Sequence, residues 1–346
     1  MQVLSYVISW QRRDIVNEYT TIKTIEAFIV TINMLTLQSQ MLSFLLLLGT
    51  GFLFMKARLV TKAILDQLSK LLMTIILPIM IITTLPGAAG DGTAKMFVPM
   101  VVGGFGLFAV LALGGLAGSM ILCLRGDQRR VHIGESMFGN LGFFGIPLAS
   151  ELFGAPGTLA LSLFAIADNI LLWTVGVVLS SHGGAQGANG RISLKQSLRK
   201  MVNPATLSVA AGLILLVLRV PADTPVLRSL AMIGGCAKPL ALFYIGATIG
   251  GMSFRGMLPA WPAFGIVGIK MIATPLALYY LLTSVFTGLP IMAVQCLTLI
   301  ACLPSMATLP IMAKENGSLA HEYGAQAVII TTVSSVFTIP LVMMLL

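Results

Sequence analysis

The chain has 346 residues, of which 57% are hydrophobic and 10% are charged, and its mean hydropathy is +0.96. A water-soluble domain carries about 25% charged residues, so this composition excludes a soluble globule and predicts a protein of the lipid bilayer. The 21 Lys+Arg against 12 Asp+Glu give a formal charge of +9, which in a membrane protein is typical of cytoplasmic loops and does not indicate a nucleic-acid partner.

Residues 1–38 differ from the rest of the chain. They carry several charged residues, and their one apolar run, AFIVTI, is too short to span a bilayer or to form a signal-peptide core. Two interpretations stay open for this N-terminal tail. Translation starts at Met34, so that residues 1–33 are not part of the native protein, or the tail forms an amphipathic helix at the membrane interface.

Apolar runs of span length recur ten times after this tail, which predicts an all-α polytopic membrane protein with ten transmembrane helices. They lie at about 39–57, 67–86, 97–123, 131–153, 157–180, 204–220, 226–251, 260–286, 289–313 and 324–346. The longest interior polar stretch, 181–203, separates the fifth run from the sixth. It divides the chain into 39–180 and 204–346, with five runs in each part.

The distribution of basic residues predicts the orientation. Alternate loops on one side of the predicted membrane hold 13 of the 21 Lys+Arg, and the loops on the other side hold 3. Basic loops stay in the cytoplasm. We therefore expect a multi-pass protein of the cell (inner) membrane with both termini outside and the 181–203 loop in the cytosol.

The two parts of the chain also resemble each other, which indicates an internal duplication. Matched residues recur at separations of 161 or 163: Gly51 with Gly212, Arg58 with Arg219, Pro78 with Pro239, Pro147 with Pro310, and Gly154 with Gly317. Because each copy has an odd number of spans, the copies must be inverted across the membrane. Inverted repeats are typical of secondary transporters, whose binding site lies near the bilayer midplane.

Glycines and prolines interrupt two of the predicted spans at equivalent positions. The fourth contains GNLGFFGIPL (139–148), and the ninth contains CLPSMATLPIMAKENG (302–317). Proline removes a backbone donor and glycine disfavours helix, so these spans are expected to break into unwound segments that cross and bind a solute. The ends of the broken helices favour an anion. The alternative is that the positions are packing kinks.

Charged residues inside the predicted spans are candidates for coupling, because a charge in the bilayer is costly. Asp168 lies near the middle of the fifth span and could couple a proton or cation, or be a structural hydrogen-bonded acid. Glu135 lies near the start of the fourth span and could instead face the cytoplasmic interface. Lys270 could pair with Asp168, hold an anionic solute, or snorkel towards the surface.

The chain resembles a known family in NLGFFGIPLASELFG, KPLALFYIGATIG and CLPSMATLPIMAKENG. These segments are similar to the auxin efflux carrier family, which includes plant PIN-type auxin exporters and bacterial malate and malonate carriers. The similarity runs from about Ser39 to the C-terminus. It implies two inverted five-helix repeats with crossovers in helices 4 and 9, a scaffold part (helices 1, 2, 6 and 7), a transport part (the remaining helices) and an elevator-like movement.

The resemblance also implies the site. Asn140 matches an asparagine that lies beside the substrate carboxylate in the family, and Ile81 replaces a serine of the plant carriers, which argues against an indole-type substrate. The acid–base pair that plant carriers place on helix 3 is missing. The substrate-binding candidates are Asn140, Gly142, Pro147, Asn169, Pro304 and Ser305.

These observations together predict a secondary transporter of a small organic anion, a carboxylate, coupled to protons or to sodium. A sodium-coupled carrier of the bile-acid symporter type is the alternative within transport, and a channel or sensory subunit is the alternative outside it. No cysteine or histidine cluster has metal-ligand spacing, and no phosphate-binding loop occurs. We therefore expect no enzymatic activity, metal or cofactor, and we leave a homodimer open.

Overall fold

The computed structural model describes residues 42–43, 46–88, 93–183, 202–251, 261–286 and 288–345. Contacts divide the chain into two units, Met1–Leu45 and Leu46–Leu346, and the fold described below belongs to the second. The predictions for the tail 1–38 and for most of the 181–203 loop lie outside the described residues.

The described residues of the second unit form helices and no strands, as the apolar runs predict. In chain order the helices are α1 (Leu46–Lys56), α2 (Lys62–Ala88), α3 (Thr93–Ile121), α4 (Gly126–Met137), α5 (Leu141–Ser180), α6 (Pro204–Val217), α7 (Pro225–Gly251), α8 (Ala263–Ser284), α9 (Ile291–Cys302), α10 (Thr308–Glu315) and α11 (His321–Leu345). Six of them, α2, α3, α5, α7, α8 and α11, are long and apolar enough to cross a membrane. The protein is therefore a multi-pass membrane protein.

Helix α5 contains a sharp bend. It has 40 residues, and at about 1.5 Å per residue it would be about twice as long as the bilayer core is thick. At Gly154 the backbone leaves the helical region (φ 64°, ψ −146°), a conformation that glycine adopts without strain. The sequence predicts a boundary between 153 and 157, and the bend lies there.

Wide turns of the π type precede three prolines. The turns Leu72–Ile76, Leu141–Gly145 and Val267–Ala273 end two residues before Pro78, Pro147 and Pro275. A proline inside a helix lacks the N–H donor, and its ring clashes with the carbonyl of the preceding turn. The wider turn accommodates the ring, so these helices continue through their prolines.

Helices α1 and α6 end in the same way. Two residues after the end of each helix lies an arginine with a positive φ: Arg58 (60°) after α1 and Arg219 (53°) after α6. In both cases the following N–H donates to the carbonyl five residues earlier, over 3.0 Å. A left-handed residue of this kind satisfies the free carbonyls at a helix C-terminus. Gly154 and Gly317 have positive φ as well, so these two repeat-matched pairs share their backbone conformation.

The helices pack in two groups. The first helix group consists of α1, α2, α6 and α7; α2 packs along α6 and α7, and Gly51 of α1 packs so closely on α7 that a Cβ would lie 2.1 Å from the carbonyl oxygen of Phe243. The second helix group consists of α3–α5 and α8–α11, in which α3 packs on α4 and α5, and α11 packs on α4, α8 and α10. Helix α5 also packs against α2, α6 and α7, so it connects the two groups.

Candidate functional site

Two interruptions of the helices meet in the second helix group. Residues 138–140 separate α4 from α5, and residues 303–307 separate α9 from α10. The second interruption falls within the segment where glycine and proline predict it (302–317), and the first overlaps the start of the other segment (139–148). The two unwound segments lie antiparallel, with Gly139 bridged to Ser305. We call this place the crossing.

Backbone hydrogen bonds hold the crossing together. The N–H of Asn140 donates to the carbonyl of Pro304 over 2.8 Å, and the N–H of Met306 donates to the carbonyl of Phe138 over 3.1 Å. Unwound backbone in a membrane protein must satisfy its polar groups inside the protein, and here each segment does so through the other. A Cβ at Gly139 would lie 3.0 Å from the Cβ of Leu303, so the missing side chain allows this close approach.

Asn140 begins α5 at the crossing. Its side-chain oxygen accepts a hydrogen bond from the N–H of Phe143 over 3.2 Å, which caps the new helix. The start of α5 and the start of α10 both follow the crossing, and a helix start carries a partial positive charge. The crossing therefore brings together groups that suit a small anion.

Lys270 binds the end of the helix before the crossing. Its ammonium nitrogen donates to the carbonyl oxygens of Glu135 (3.1 Å) and Phe138 (3.0 Å), at the C-terminus of α4. A cation at a helix C-terminus complements the partial negative charge there. The side chain of Lys270 is buried, with 1% exposure, so it does not snorkel to a surface.

The carboxyl group of Glu135 is buried beside this lysine. Glu135 is 0% exposed, and neither of its carboxyl oxygens has a hydrogen-bond partner among the described residues. The hypothesis that it faces an interface is wrong, because α11 covers it: a Cβ at Gly324 would lie 3.2 Å from its Oε1. An uncompensated carboxylate in such a place is costly, so the group is suited to take up a proton or a cation.

Asp168 completes the group of charges. It lies on α5, buried, and interacts electrostatically with Lys270, which also interacts with the carboxyl group of Glu135. Among the described residues, however, no ion pair joins Lys270 to either acid at contact distance. The expected pairing of Lys270 with Asp168 is therefore a longer-range interaction, and the direct partners of the ammonium are carbonyl oxygens.

Ser305 connects the second unwound segment to the same helix end. Its hydroxyl donates to the carbonyl of Glu135 over 2.8 Å, and its N–H donates to the hydroxyl oxygen of Thr331 over 3.1 Å. Sequence reasoning missed Thr331, although it lies 163 residues after Asp168, the separation of the internal repeat. The repeat register was the signal that could have found it.

Three of the predicted site residues lie away from the crossing. Gly142 packs against Met73 of α2, and Pro147 lines a cavity between α2, α5 and α7. Asn169 lines a different, mostly apolar cavity of about 230 Å³ between α2, α5 and α6, where its side-chain oxygen accepts a hydrogen bond from Asn203 over 3.1 Å. The crossing thus contains Asn140, Pro304 and Ser305, with the charged groups beside them.

Comparison with known proteins identifies the family. A family model described as "Membrane transport protein" matches residues 36–343, which is most of the chain. The chain belongs to this family. The resemblance to auxin efflux carriers that the sequence motifs indicate is thereby confirmed.

One curated relative of this transport protein carries a functional name. It comes from Rhizobium meliloti (strain 1021), is named "Putative malonate transporter", and is 27% identical over 203 residues. The match covers 58% of this chain and 62% of the relative, so the chain aligns with less than two thirds of that protein's length.

Sequence reasoning missed a polar pair in the transport protein, formed by His132 and Tyr323. His132 lies one turn before Glu135 on α4. The ring Nδ1 of His132 lies 2.7 Å from the hydroxyl oxygen of Tyr323, and both side chains are buried. Tyr323 also interacts electrostatically with Glu135. The pair joins α4 to α11. In the sequence, the one signal for it was that His132 lies three residues before Glu135, on the same face of the helix.

A second missed residue, Asp127, fixes the other end of α4. Its carboxylate accepts hydrogen bonds from the N–H groups of Leu319 (2.9 Å) and Gly183 (3.2 Å), lies 2.7 Å from the ring Nδ1 of His182, and pairs with Arg130. Burial by itself would raise the pKa of Asp127, but these hydrogen bonds and the Arg130 charge outweigh it and hold the pKa well below its usual range. Asp127 thus ties α4 to the end of α5 and to the start of α11.

Proposed function

We propose that this membrane transport protein is a secondary transporter of small carboxylates, and that the carboxylate binds at the crossing. The observation that carries the proposal is the pairing of two unwound segments beside buried charges: Asn140 begins a helix there, and Lys270 and Glu135 lie at the end of another. Secondary transporters use interrupted helices in this way to bind ions and solutes near the midplane.

The substrate class follows from the partial charges at the crossing. Two helices start there, α5 and α10, and the partial positive charge of a helix start favours an anion. The ammonium of Lys270 already binds two carbonyls, so the helix starts and the amide of Asn140 provide the direct contacts. The name of the Rhizobium relative supports a dicarboxylate such as malonate.

The proposed architecture is ten spans in two inverted repeats. We count α4 and the first part of α5 as one broken span, and α9 and α10 as another. The described helices then form ten spans. The shared backbone conformation of Arg58 and Arg219, and of Gly154 and Gly317, supports the repeat. We further propose both termini outside and the 181–203 loop in the cytosol of a cell membrane, from the distribution of basic loops.

The proposed movement is an elevator-like displacement of one helix group against the other. The first helix group contains α1, α2, α6 and α7, which are the scaffold helices that the family resemblance implies. The crossing lies in the second group, so a displacement of that group carries the site across the membrane. Helix α5 is the element whose contacts with α2, α6 and α7 must change.

We propose protons as the coupling ion, taken up by Glu135 or Asp168. Both acids are buried near Lys270, and Glu135 has no hydrogen-bond partner among the described residues. Uptake driven by a pH gradient without sodium supports protons, and uptake that requires a sodium gradient supports the alternative of the bile-acid symporter type.

Uptake of radiolabelled malonate into proteoliposomes tests the proposed function. We expect saturable uptake by the wild-type protein and none above background by Asn140→Ala. Asn316→Ala is the matched control, because Asn316 donates to Ser180 away from the crossing, and it should retain uptake. Uptake that rises linearly with concentration would indicate a channel, and wild-type uptake by Asn140→Ala would remove the crossing from the proposal.

A further inference from the structure

The cavity that Pro147 lines is polar and lies between the two helix groups. Its volume is about 250 Å³, and its walls come from α2, from the part of α5 before the bend, and from α7. The polar side chains in its wall are Thr83, Thr84, Ser150, Glu151 and Lys238. The cavity is separate from the crossing, but Ser150 and Glu151 lie on the helix that Asn140 begins.

An ion pair occupies this cavity. The ammonium of Lys238 on α7 contacts the carboxylate of Glu151 on α5, and the two side chains are 33% and 29% exposed. Both groups are therefore open to the cavity and are not sealed in the core. A lysine inside a span is costly and calls for a functional explanation, which the crossing does not provide for Lys238.

Lys238 lies on α7, which packs closely on α2 within the first helix group, whereas Glu151 lies on α5 of the second helix group. A Cβ at Gly234 would come within 2.8 Å of the Cα of Met80, so the backbones of α7 and α2 are in contact beside the lysine. Glu151 belongs to α5, which connects the groups. The carboxylate can therefore leave the ammonium without disturbing the packing of α7 on α2.

The size and the hydroxyl groups of the cavity suit a small dicarboxylate. A volume of about 250 Å³ corresponds to roughly eight water molecules at about 30 Å³ each, which is enough for a three- or four-carbon dicarboxylate. Thr84 and Ser150 add hydroxyl groups to the cavity wall, whereas the hydroxyl of Thr83 donates to carbonyls of its own helix. Hydrogen bonds from an ammonium to a carboxylate are stronger than neutral ones.

We propose that Lys238 forms a second carboxylate-binding site on the route to the crossing, and that Glu151 is an internal competitor for it. When no substrate is bound, the carboxylate of Glu151 pairs with the ammonium of Lys238. A substrate carboxylate then displaces the carboxylate of Glu151 from this ammonium. The substrate class rests on the proposed function above, whereas the site rests on the cavity and the ion pair.

Equilibrium binding of malonate to the full-length purified protein tests this site. Glu151→Gln removes the competitor and should tighten binding about five-fold, whereas Lys238→Gln removes the ammonium and should weaken binding by about the same factor, equivalent to about 1 kcal/mol. The double variant should bind like Lys238→Gln, and Lys238→Arg should restore binding. Acetate, with one carboxylate, should show the same order of variants.

The opposite signs of the two effects separate a binding site from a structural ion pair. If the pair only holds the helices together, both variants should lower the melting temperature equally and should shift malonate affinity in the same direction or not at all, which would overturn the proposal. A melting temperature for each variant identifies one that fails to fold, and Lys238→Arg then provides the comparison.

The outcomes also distinguish this site from the proposed function. Malonate binding that Asn140→Ala abolishes and Lys238→Gln leaves unchanged would overturn the second site alone. Binding that responds to Glu151→Gln and Lys238→Gln but not to Asn140→Ala would support the second site and overturn the crossing. If no variant binds malonate, Glu151→Gln included, both are overturned.

Discussion

The two unwound segments at the crossing have the same backbone role, but the positions that the repeat spacing matches around them differ in charge. The carbonyls beside the first segment, those of Glu135 and Phe138, bind the ammonium of Lys270. The positions 161 to 163 residues before Lys270, the range of the repeat spacing, hold Leu107, Phe108 and Ala109, and none of them is charged. Phe108 packs on Phe138 and Phe164, with ring centroids 5.4 and 5.2 Å apart.

In the proposed repeat, this difference distinguishes the two copies by their charge. Both segments satisfy their backbone groups through each other, so the crossing itself needs no charge. The positions 161 to 163 residues away from Lys270, Glu135 and Asp168 all hold uncharged residues, and Phe108 is among them. We call the surroundings of Lys270 the polar side and those of Phe108 the aromatic side. The two copies of the proposed repeat would therefore carry different titratable groups, and the proposed coupling to protons rests on those of the polar side.

The largest effect is expected from removing the charge on the polar side. Lys270→Met removes the charged donor of the Glu135 and Phe138 carbonyls, which keep only the Ser305 hydroxyl and the Met306 N–H, and losing hydrogen bonds from a charged group costs about 1.5–3 kcal/mol. We expect loss of malonate uptake and a clearly lower melting temperature, measured on the same purified sample. Lys95→Met, at an exposed lysine, should behave like the wild type. Full transport by Lys270→Met would show that the two sides do not differ in function.

A smaller effect is expected on the aromatic side. Phe108→Leu keeps an apolar side chain at a fully buried position and should cost about 1–3 kcal/mol through imperfect packing. We expect a lower melting temperature, with the pH dependence of uptake unchanged, because no titratable group is touched. A shifted pH profile in this variant would mean that the aromatic side takes part in coupling.

Ser305→Ala refines the comparison by removing one donor from the polar side. Lys270 still binds the carbonyl of Glu135, so the loss should be about 1 kcal/mol, with uptake reduced several-fold and not abolished. Ser162→Ala is the matched control, because the buried hydroxyl of Ser162 has no partner among the described residues, and its removal should be neutral or stabilising. Equal losses in the two variants would contradict this role of Ser305.

The smallest effect concerns Asp127, far from both segments. Because its pKa is lowered by folding, its contribution to stability is fully present above the ordinary carboxyl pKa of 3.8 and is lost as the pH falls below that value towards the lowered pKa. The melting temperature of the wild type should therefore fall between about pH 5 and 3 more than that of Asp127→Asn. Parallel pH profiles of the two proteins would show that the carboxylate makes no such contribution.

The sequence predicted those features that depend on local chemistry. The glycines and prolines around Asn140 and Pro304 indicated where the helices break, and Gly154 marked the bend in α5. Partners far apart in the chain were not predictable, since they depend on how the helices pack. Glu135 could not be recognised as buried because α11, which covers it through Gly324, follows almost 200 residues later. For the same reason, the sequence did not indicate that Lys238 pairs with Glu151.

A structure determined with saturating malonate tests the central claim most directly. We predict density for a carboxylate between residues 138–140 and 303–307, within hydrogen-bond distance of the side-chain amide of Asn140. Malonate bound at other places only, with the crossing empty of ligand, would contradict the account.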